Sequence, residues 1–265
     1  MRQALNIILL FLAHLPCHSQ SAPPIGQWRE HLPYNRANSL ELIENTLWTA
    51  TPYSLFSLNP ADNSVERFSR VNGLTETGIR TIGRDASGLR LVVVYNSGNI
   101  DILHGADISN IPDLARSTLI RDKTVNQVYS NASNTWLAGN EAIYELNIEK
   151  NEIRDTYVIG SAGFKVKISS IAAFRNNLYA ATTEGLRFAA LSATNLSDFR
   201  AWRSDTATGL PTGPVDELLS VNNQLFCRVA DSVFISTGSN WNFLYRDGWK
   251  LNSLRAAGDR IAIHE

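Results

Sequence analysis

The architecture of this chain rests on a pattern that can be read at residues 93–101, Val93-Val94-Tyr95-Asn96-Ser97-Gly98-Asn99-Ile100-Asp101. Two apolar positions stand seven residues apart in it. The second position recurs at Leu55, Ile100, Ile143, Leu186 and Val233. The first recurs at Trp48, Val93, Trp136, Tyr179 and Phe226. The intervals are 45, 43, 43 and 47 residues, and a fixed period of this length is typical of the blades of a β-propeller.

Hairpin signals precede each copy and complete the blade. They are found at Glu44-Asn45, Asp85 to Gly88, Asn131 to Asn134, Asn176-Asn177 and Asn222-Asn223. Asn, Asp and Gly tolerate the positive φ of tight turns. In the first blade the predicted strands are Ala37 to Asn45, Thr46 to Thr51, Ser54 to Asn59 and Val65 to Arg70. Since no segment has a long apolar pattern at helical spacing, we predict an all-β propeller of four-stranded blades.

A glycine–leucine pair enters two of the predicted blades. Asn72-Gly73-Leu74 leads to Ile79 and Ile82, and Thr208-Gly209-Leu210 leads to Val215 and Leu218 with the same spacing. We expect the glycine to turn the backbone sharply and the leucine to fill the space between neighbouring blades.

The repeat predicts about five complete blades and a truncated sixth. The sixth unit starts at Ser253-Leu254-Arg255, passes a Gly258-Asp259 turn and stops at 261–265, in what should be a second strand. A strand that ends within a sheet leaves an unpaired edge. We therefore expect this sequence to be the N-terminal part of a longer protein.

The N-terminal residues predict export. A basic start at Arg2 is followed by an apolar run from Leu5 to Leu15 that is too short to span a bilayer. We assign residues 1–19 to a signal peptide and 20–265 to the propeller domain, with cleavage after Ser21 as the second choice. Acylation at Cys17 is a less favoured alternative, because Pro16 makes a poor lipoprotein signal. The protein is then expected in the periplasm or on the outer-membrane surface.

Charge and cysteine content exclude two classes of interpretation. The formal net charge is -1 and no run of like charges occurs, so we expect no nucleic-acid binding. Cleavage leaves Cys227 as the single cysteine, which excludes an internal disulfide. It lies in an apolar run and is interpreted as a small buried hydrophobe rather than a nucleophile.

No catalytic or metal-binding constellation is found in the sequence, and we predict no enzyme activity and no cofactor. After cleavage the histidines are His31, His104 and His264, which fall at unrelated positions of the repeat. No local motif for a metalloprotease, a serine nucleophile or a phosphate loop occurs. A propeller can assemble a site from distant loops, however, so a polysaccharide-active enzyme remains an alternative. The sequence assigns no binding residues.

Three features have a structural and a functional interpretation. Asp85-Ala86-Ser87-Gly88 suggests a calcium loop or the aspartate box of sialidases, but a hairpin turn is favoured. A platform for stacking glycans could be formed by Trp28, Tyr34, Trp202, Trp241 and Trp249; for Trp202 and Trp241, packing near outer strands is the commoner use. The cluster from Trp28 to Tyr34 is either a recognition patch or a strand that closes the ring.

The chain resembles a known family at several of these places. Trp28 to Tyr34, Leu47-Trp48-Thr49-Ala50, Val71 to Leu74, Ile79 and Tyr95 to Asp101 are similar to the N-terminal propeller of PorZ-like proteins. These are cell-surface components of the type IX secretion system of Bacteroidetes, and their blades are similar to the propeller repeats of hybrid two-component regulators. The resemblance covers residues 25 to about 265.

This resemblance implies a function and partners. It implies a non-catalytic surface propeller that assists sortase-linked anchoring of cargo proteins to anionic lipopolysaccharide. The implied partners are the sortase, other type IX components and the lipopolysaccharide itself. From the apolar runs of the sequence we expect no membrane span. The family also implies a second propeller and a C-terminal secretion domain, which this sequence lacks. A glycan-sensing propeller of a hybrid two-component regulator is the alternative binding function.

Overall fold

The computed structural model describes residues 31–131, 133–258 and 260–265, with the side chain of Ala257 left out. The predicted signal peptide and Trp28 lie outside these residues, as do Ala132 and Asp259 in two of the predicted turns. Residues Leu32–Glu265 form one unit. In the described residues, the apolar runs form 22 strands arranged in six antiparallel sheets.

Five sheets have four strands in chain order, as predicted. The first contains β1 (Ser39–Ile43), β2 (Thr46–Ala50), β3 (Leu55–Asn59) and β4 (Ser64–Phe68). The second contains β5 (Ile79–Arg84), β6 (Leu91–Tyr95), β7 (Ile100–His104) and β8 (Asp107–Ile111). The third contains β9 (Val125–Ser130), β10 (Thr135–Gly139), β11 (Ile143–Asn147) and β12 (Glu152–Tyr157).

The remaining sheets continue the order. The fourth contains β13 (Ile168–Phe174), β14 (Asn177–Thr182), β15 (Gly185–Ala190) and β16 (Arg203–Ser204). The fifth contains β17 (Glu217–Val221), β18 (Gln224–Val229), β19 (Ser232–Ser236) and β20 (Trp241–Tyr245). The sixth has only β21 (Ser253–Ala257) and β22 (Arg260–His264). Five complete blades and a truncated sixth are thereby confirmed.

Helical structure in the described residues is confined to short turns in the connections. One α-helix, α1 (Asp113–Arg116), precedes β9, and 3-10 turns occur at Arg70–Asn72, Ser161–Gly163 and Phe199–Ala201. No helix in the described part of the chain is long and apolar enough to cross a membrane.

The core lies between neighbouring blades, which explains why the repeat positions are apolar. All five residues of the second recurring position lie at the start of a third strand and are buried, from Leu55 to Val233. The middle strands β6 and β10 are buried along their whole length. A strand covered on both faces reads as a continuous apolar run, because neither face meets water. Burial of each such side chain contributes about 1.5–3 kcal/mol.

The glycine–leucine pairs have the predicted structural role. Gly73 adopts φ 120° and Leu74 packs in the cluster that joins the first two blades. Gly209 adopts φ 103°, and a Cβ there would lie 1.8 Å from the carbonyl oxygen of Trp241. Leu210 packs against the cluster between the fourth and fifth blades.

One detail of the prediction is corrected. The turn between β13 and β14 is Arg175-Asn176, with φ values of 45° and 62°, and not Asn176-Asn177. Asn177 pairs with Phe174 as the first residue of β14, so that two residues with positive φ close the hairpin. The fourth blade has the predicted four strands, with a short outer strand β16 that follows the connection at residues 191–202.

Candidate functional site

The central channel is the candidate functional site because every blade contributes to it. The innermost strands β1, β5, β9, β13, β17 and β21 surround a cavity of about 390 Å³. Most of its lining side chains are polar, with at least one from each blade: Ser39, Thr81, Asn126, Ser169, Glu217 and Ser253. A cavity of this size and polarity fits a small polar ligand better than an apolar one.

Several polar side chains of the inner strands are used to hold the ring together. Each accepts a hydrogen bond from a backbone N–H of the next inner strand: Ile82 to Ser39 (3.3 Å), Ile171 to Gln127 (2.7 Å), Leu218 to Ser170 (3.2 Å) and Leu254 to Glu217 (2.9 Å). Backbone groups on the channel side of an innermost strand have no further strand to pair with. These side chains therefore stabilise the contact between inner strands, and the atoms used in that way are not available to bind a ligand.

Charged groups concentrate on two sides of the channel. Glu217 accepts hydrogen bonds from Arg228 Nε (3.3 Å) and Arg255 Nη1 (2.7 Å) in addition to the Leu254 amide. Its carboxylate is thus fully engaged and joins β17 to β21. Glu41 lies 3.9 Å from the Arg84 guanidinium. Burial raises the pKa of Glu41 above the usual range, and the attraction of Arg84 only partly offsets this.

The residues of the family resemblance at Tyr95 to Asp101 have a structural role. Asp101 is fully buried and accepts hydrogen bonds from Thr75 N (2.9 Å), Thr75 Oγ1 (2.9 Å), Tyr95 Oη (2.6 Å) and Asn110 Nδ2 (2.9 Å). Burial, together with the Asp101 carboxylate, raises the pKa of Tyr95. The motif fixes the connection between the first and second blades rather than forming a catalytic pair.

The structure does not bring the candidate histidines into one site. His104 ends β7 and His264 lies on β22, four blades further along the chain, and both are exposed. His31 is also exposed. No group of three His, Cys, Asp or Glu side chains within the described residues could hold a metal ion.

Cys227 and Asp85 have the structural roles that were favoured. Cys227 is fully buried between the fourth and fifth blades, and this burial raises the pKa of its thiol. The Asp85 carboxylate accepts hydrogen bonds from Ser87 Oγ (2.7 Å) and the amides of Leu89 (3.3 Å) and Arg90 (3.1 Å). It closes the β5–β6 hairpin in the manner of an Asx turn.

The four aromatic side chains of this set that the structure describes are not assembled into one platform. Trp202 is buried, packs against Tyr157 with ring centroids 6.4 Å apart and donates Nε1 to Leu196 O (2.9 Å). Trp241 is also buried and donates Nε1 to Asp205 (3.0 Å). Tyr34 contacts Phe56 at 5.9 Å, and among these four residues Trp249 is the one that is largely exposed. Four separate environments do not form a surface for stacking a sugar chain.

Sequence reasoning did not find the channel residues. Ser39, Gln127, Ser170 and Glu217 act at comparable positions but belong to three residue types, so they leave no periodic signal. The one signal that could have found them was their location in strands that the glycine–leucine pairs identify as innermost.

Comparisons with known proteins agree with this architecture. Residues 47–203 match the family model described as "TSS9, PorZ, N-terminal beta-propeller domain". The chain is similar to the solved structure of PorZ of Porphyromonas gingivalis, with a TM-score of 0.77 and 24% identity, over 86% of this chain and 30% of that chain. That protein is described as an essential bacterial surface component of the type IX secretion system. No curated protein matches this chain.

Other solved structures share the fold at lower identity. The extracellular domain of a putative hybrid two-component system from B. thetaiotaomicron has a TM-score of 0.54 and 13% identity, over 86% of this chain and 38% of that one. The computationally designed Ika8 protein has a TM-score of 0.57 and 8% identity, over 86% and 67%. Because the family match extends over more than half of the sequence, the chain belongs to the family of the PorZ N-terminal β-propeller domain.

Proposed function

We propose that this chain is a non-catalytic, cell-surface propeller of the type IX secretion system that assists the sortase-linked anchoring of cargo proteins to anionic lipopolysaccharide. The observation that carries the proposal is the match of residues 47–203 to the PorZ N-terminal propeller. The fold likeness to PorZ of Porphyromonas gingivalis, a surface component of that system, supports it.

The geometry of the channel supports a binding role rather than a catalytic one. A general base needs a carboxylate free to accept a proton from a substrate. The Glu217 carboxylate is engaged by a backbone amide and two guanidinium groups. The channel is also lined by neutral side chains such as Thr81 and Ser169, which can bind a polar ligand, while the Glu41 carboxyl lies 3.9 Å from the Arg84 guanidinium.

The expected partners are the sortase and other components of the secretion system, with anionic lipopolysaccharide as a further ligand. A cell-surface or periplasmic location follows from the predicted signal peptide at residues 1–19. The likeness to the PorZ surface component supports this location.

The propeller is proposed to be the N-terminal part of a longer, two-propeller protein. This chain spans 30% of the solved PorZ chain, and its last sheet has two strands where the other five have four. Determining the gene sequence beyond codon 265 tests this part of the proposal. A stop codon directly after Glu265 would contradict it.

Deletion of the gene tests the function. Cargo proteins should lose their attachment to the cell surface and accumulate in the medium, and the full gene should restore attachment. A matched gene that lacks the codons for residues 2–19 should be expressed but should fail to restore it. Normal attachment in the deletion strain would contradict the proposed function.

A further inference from the structure

Three large apolar side chains project from connections at one end of the third and fourth blades. Leu119 precedes β9 and is 82% exposed, Phe164 precedes β13 and is 72% exposed, and Phe199 precedes β16 and is 38% exposed. Lys165 Nζ donates to Leu119 O at 2.7 Å, and a Cβ on Gly163 would lie 3.1 Å from the Phe199 ring. We refer to Leu119, Phe164 and Phe199 as the apolar loop patch.

The loop that carries Phe164 is held rigidly at its base. Ser161 donates to Glu184 Oε2 from its amide (3.0 Å) and its hydroxyl (2.7 Å). Arg187, itself buried, donates to both Ser161 Oγ (2.6 Å) and Glu184 (2.9 Å). Ala162 adopts φ 52°, a left-handed conformation that is unfavourable for a residue with a Cβ. The strained backbone at Ala162 and the hydrogen bonds of Ser161 thus hold the loop in a conformation that leaves the Phe164 side chain exposed to solvent.

Three of the four acidic groups around the patch are paired with basic side chains, and the fourth, Asp122, is hydrogen-bonded to uncharged groups and attracted by the Lys167 ammonium. Asp122 bonds Thr124 N and Asn140, Glu141 bonds two backbone amides and Lys165, Glu184 bonds Ser161 and Arg187, and Asp198 bonds Arg200. In contrast, Arg121 and Lys167 are exposed, and neither side chain forms a hydrogen bond or close ion pair with the described residues. With Asp122 set against Lys167, the positive charge of Arg121 is left over, so the surplus charge beside the apolar side chains is basic.

We propose that the apolar loop patch docks on an anionic lipid surface. Leu119 and Phe164 would insert among acyl chains, while Arg121 and Lys167 contact anionic head groups. A bilayer accepts projecting apolar side chains without a matching pocket, and binding grows with buried apolar area and with attraction between basic residues and anionic lipids. Aromatic side chains are also favoured at the membrane interface. The inference goes beyond the secretion role and does not depend on it.

Co-sedimentation with vesicles tests the inference. The probes are vesicles of phosphatidylcholine alone and of phosphatidylcholine mixed with phosphatidylglycerol, and the protein is purified after export so that the signal peptide is absent. We expect binding to the anionic vesicles to exceed binding to the neutral ones roughly tenfold and to fall with added salt. Phe164→Asp should reduce binding to the anionic vesicles by roughly tenfold.

Two matched variants sharpen the outcome. Leu89→Asp changes a side chain that is 50% exposed on the β5–β6 hairpin, at the opposite end of the strands, and should bind like the unchanged protein. The double variant Arg121→Glu/Lys167→Glu should lose the preference for anionic vesicles. Circular dichroism and thermal melting verify that each variant folds. The inference is overturned if Phe164→Asp binds anionic vesicles as well as the unchanged protein does. It is also overturned if the unchanged protein shows no preference for anionic lipid or binds no vesicles, which is the result expected if the patch binds a protein instead.

Discussion

At the scale of single residues, the apolar positions were predictable and the polar connectors were not. Leu55, Ile143 and Val233 recur because the space between two blades excludes water at the same point of each repeat. Gln127 and Glu217 hold neighbouring inner strands through side chains that would suit a solvated strand equally well. Their role depends on the position of the next strand, and no local pattern specifies that position.

We expect the thiol of Cys227 to be unreactive in the folded protein. It is fully buried, and burial raises its pKa, so the reactive thiolate is suppressed. In a Cys17→Ser variant, which leaves Cys227 as the single thiol, reaction with iodoacetamide should be at least ~10³-fold slower in buffer than in denaturant. Comparable rates in the two conditions would show that the fourth and fifth blades do not enclose this residue.

Gly209 is expected to be required for two separate reasons. Its φ of 103° disfavours a Cβ, and a Cβ would also lie 1.8 Å from Trp241 O. Gly213 has a similar φ of 113° but nothing within 4 Å. Gly213→Ala should therefore cost about 1–2 kcal/mol of unfolding free energy, and Gly209→Ala at least ~2 kcal/mol more. Urea denaturation measures both, and equal costs would rule out the steric explanation.

At the scale of elements, the period of the repeat located almost every strand. The first-blade strands agree with the predicted ranges apart from end residues, since alternating apolar runs and turn residues act locally. The fourth blade differs from the first in its outer strand, because a long connection at residues 191–202 precedes the short strand β16. There, Trp202 anchors a loop by packing against Tyr157 of the preceding blade, and this contact between blades replaces most of an outer strand.

The half blade formed by β21 and β22 is expected to depend on Glu217. Its carboxylate bonds Leu254 N and Arg255 across the gap between inner strands and Arg228 within its own blade. Glu217→Ala should lower the unfolding free energy by about 1–3 kcal/mol, because it leaves the Leu254 amide without an acceptor, whereas Arg228 keeps Asp216 and Arg255 is largely exposed. Hydrogen exchange at 253–264 should accelerate more than exchange in β10.

A control separates this effect from a general loss of acidic charge. Glu149 pairs with Arg90, but its side chain is 78% exposed. Glu149→Ala should cost less than ~1 kcal/mol and leave exchange in β21 and β22 unchanged. If Glu217→Ala behaves in the same way, the carboxylate does not hold the half blade.

At the scale of the whole molecule, the number of strands in the last sheet determines which surfaces of the first and last blades are exposed. Ser39 and Glu41 of β1 point toward the second blade, where they approach Ile82 and Arg84. Because successive side chains alternate, Leu40 and Leu42 face the other way, and they are 58% and 54% exposed. Within the described residues, β22 pairs only with β21 and leaves its other edge free. Elsewhere in the molecule, a neighbouring blade covers the face of an inner strand, and a third strand pairs with the edge of a second strand.

We therefore expect the 265-residue chain to associate with itself through this open side as its concentration rises. Exposed apolar side chains beside a free strand edge favour pairing between molecules. The double variant Leu40→Lys/Leu42→Lys should reduce the association measured by size-exclusion chromatography with light scattering, and its Tm should fall by no more than a few degrees, since both side chains are already exposed. Leu89→Lys alters a similarly exposed leucine on a hairpin loop and should leave association unchanged. A chain that stays monomeric at all concentrations, or a double variant that associates as before, would mean that Leu40 and Leu42 do not form the contact.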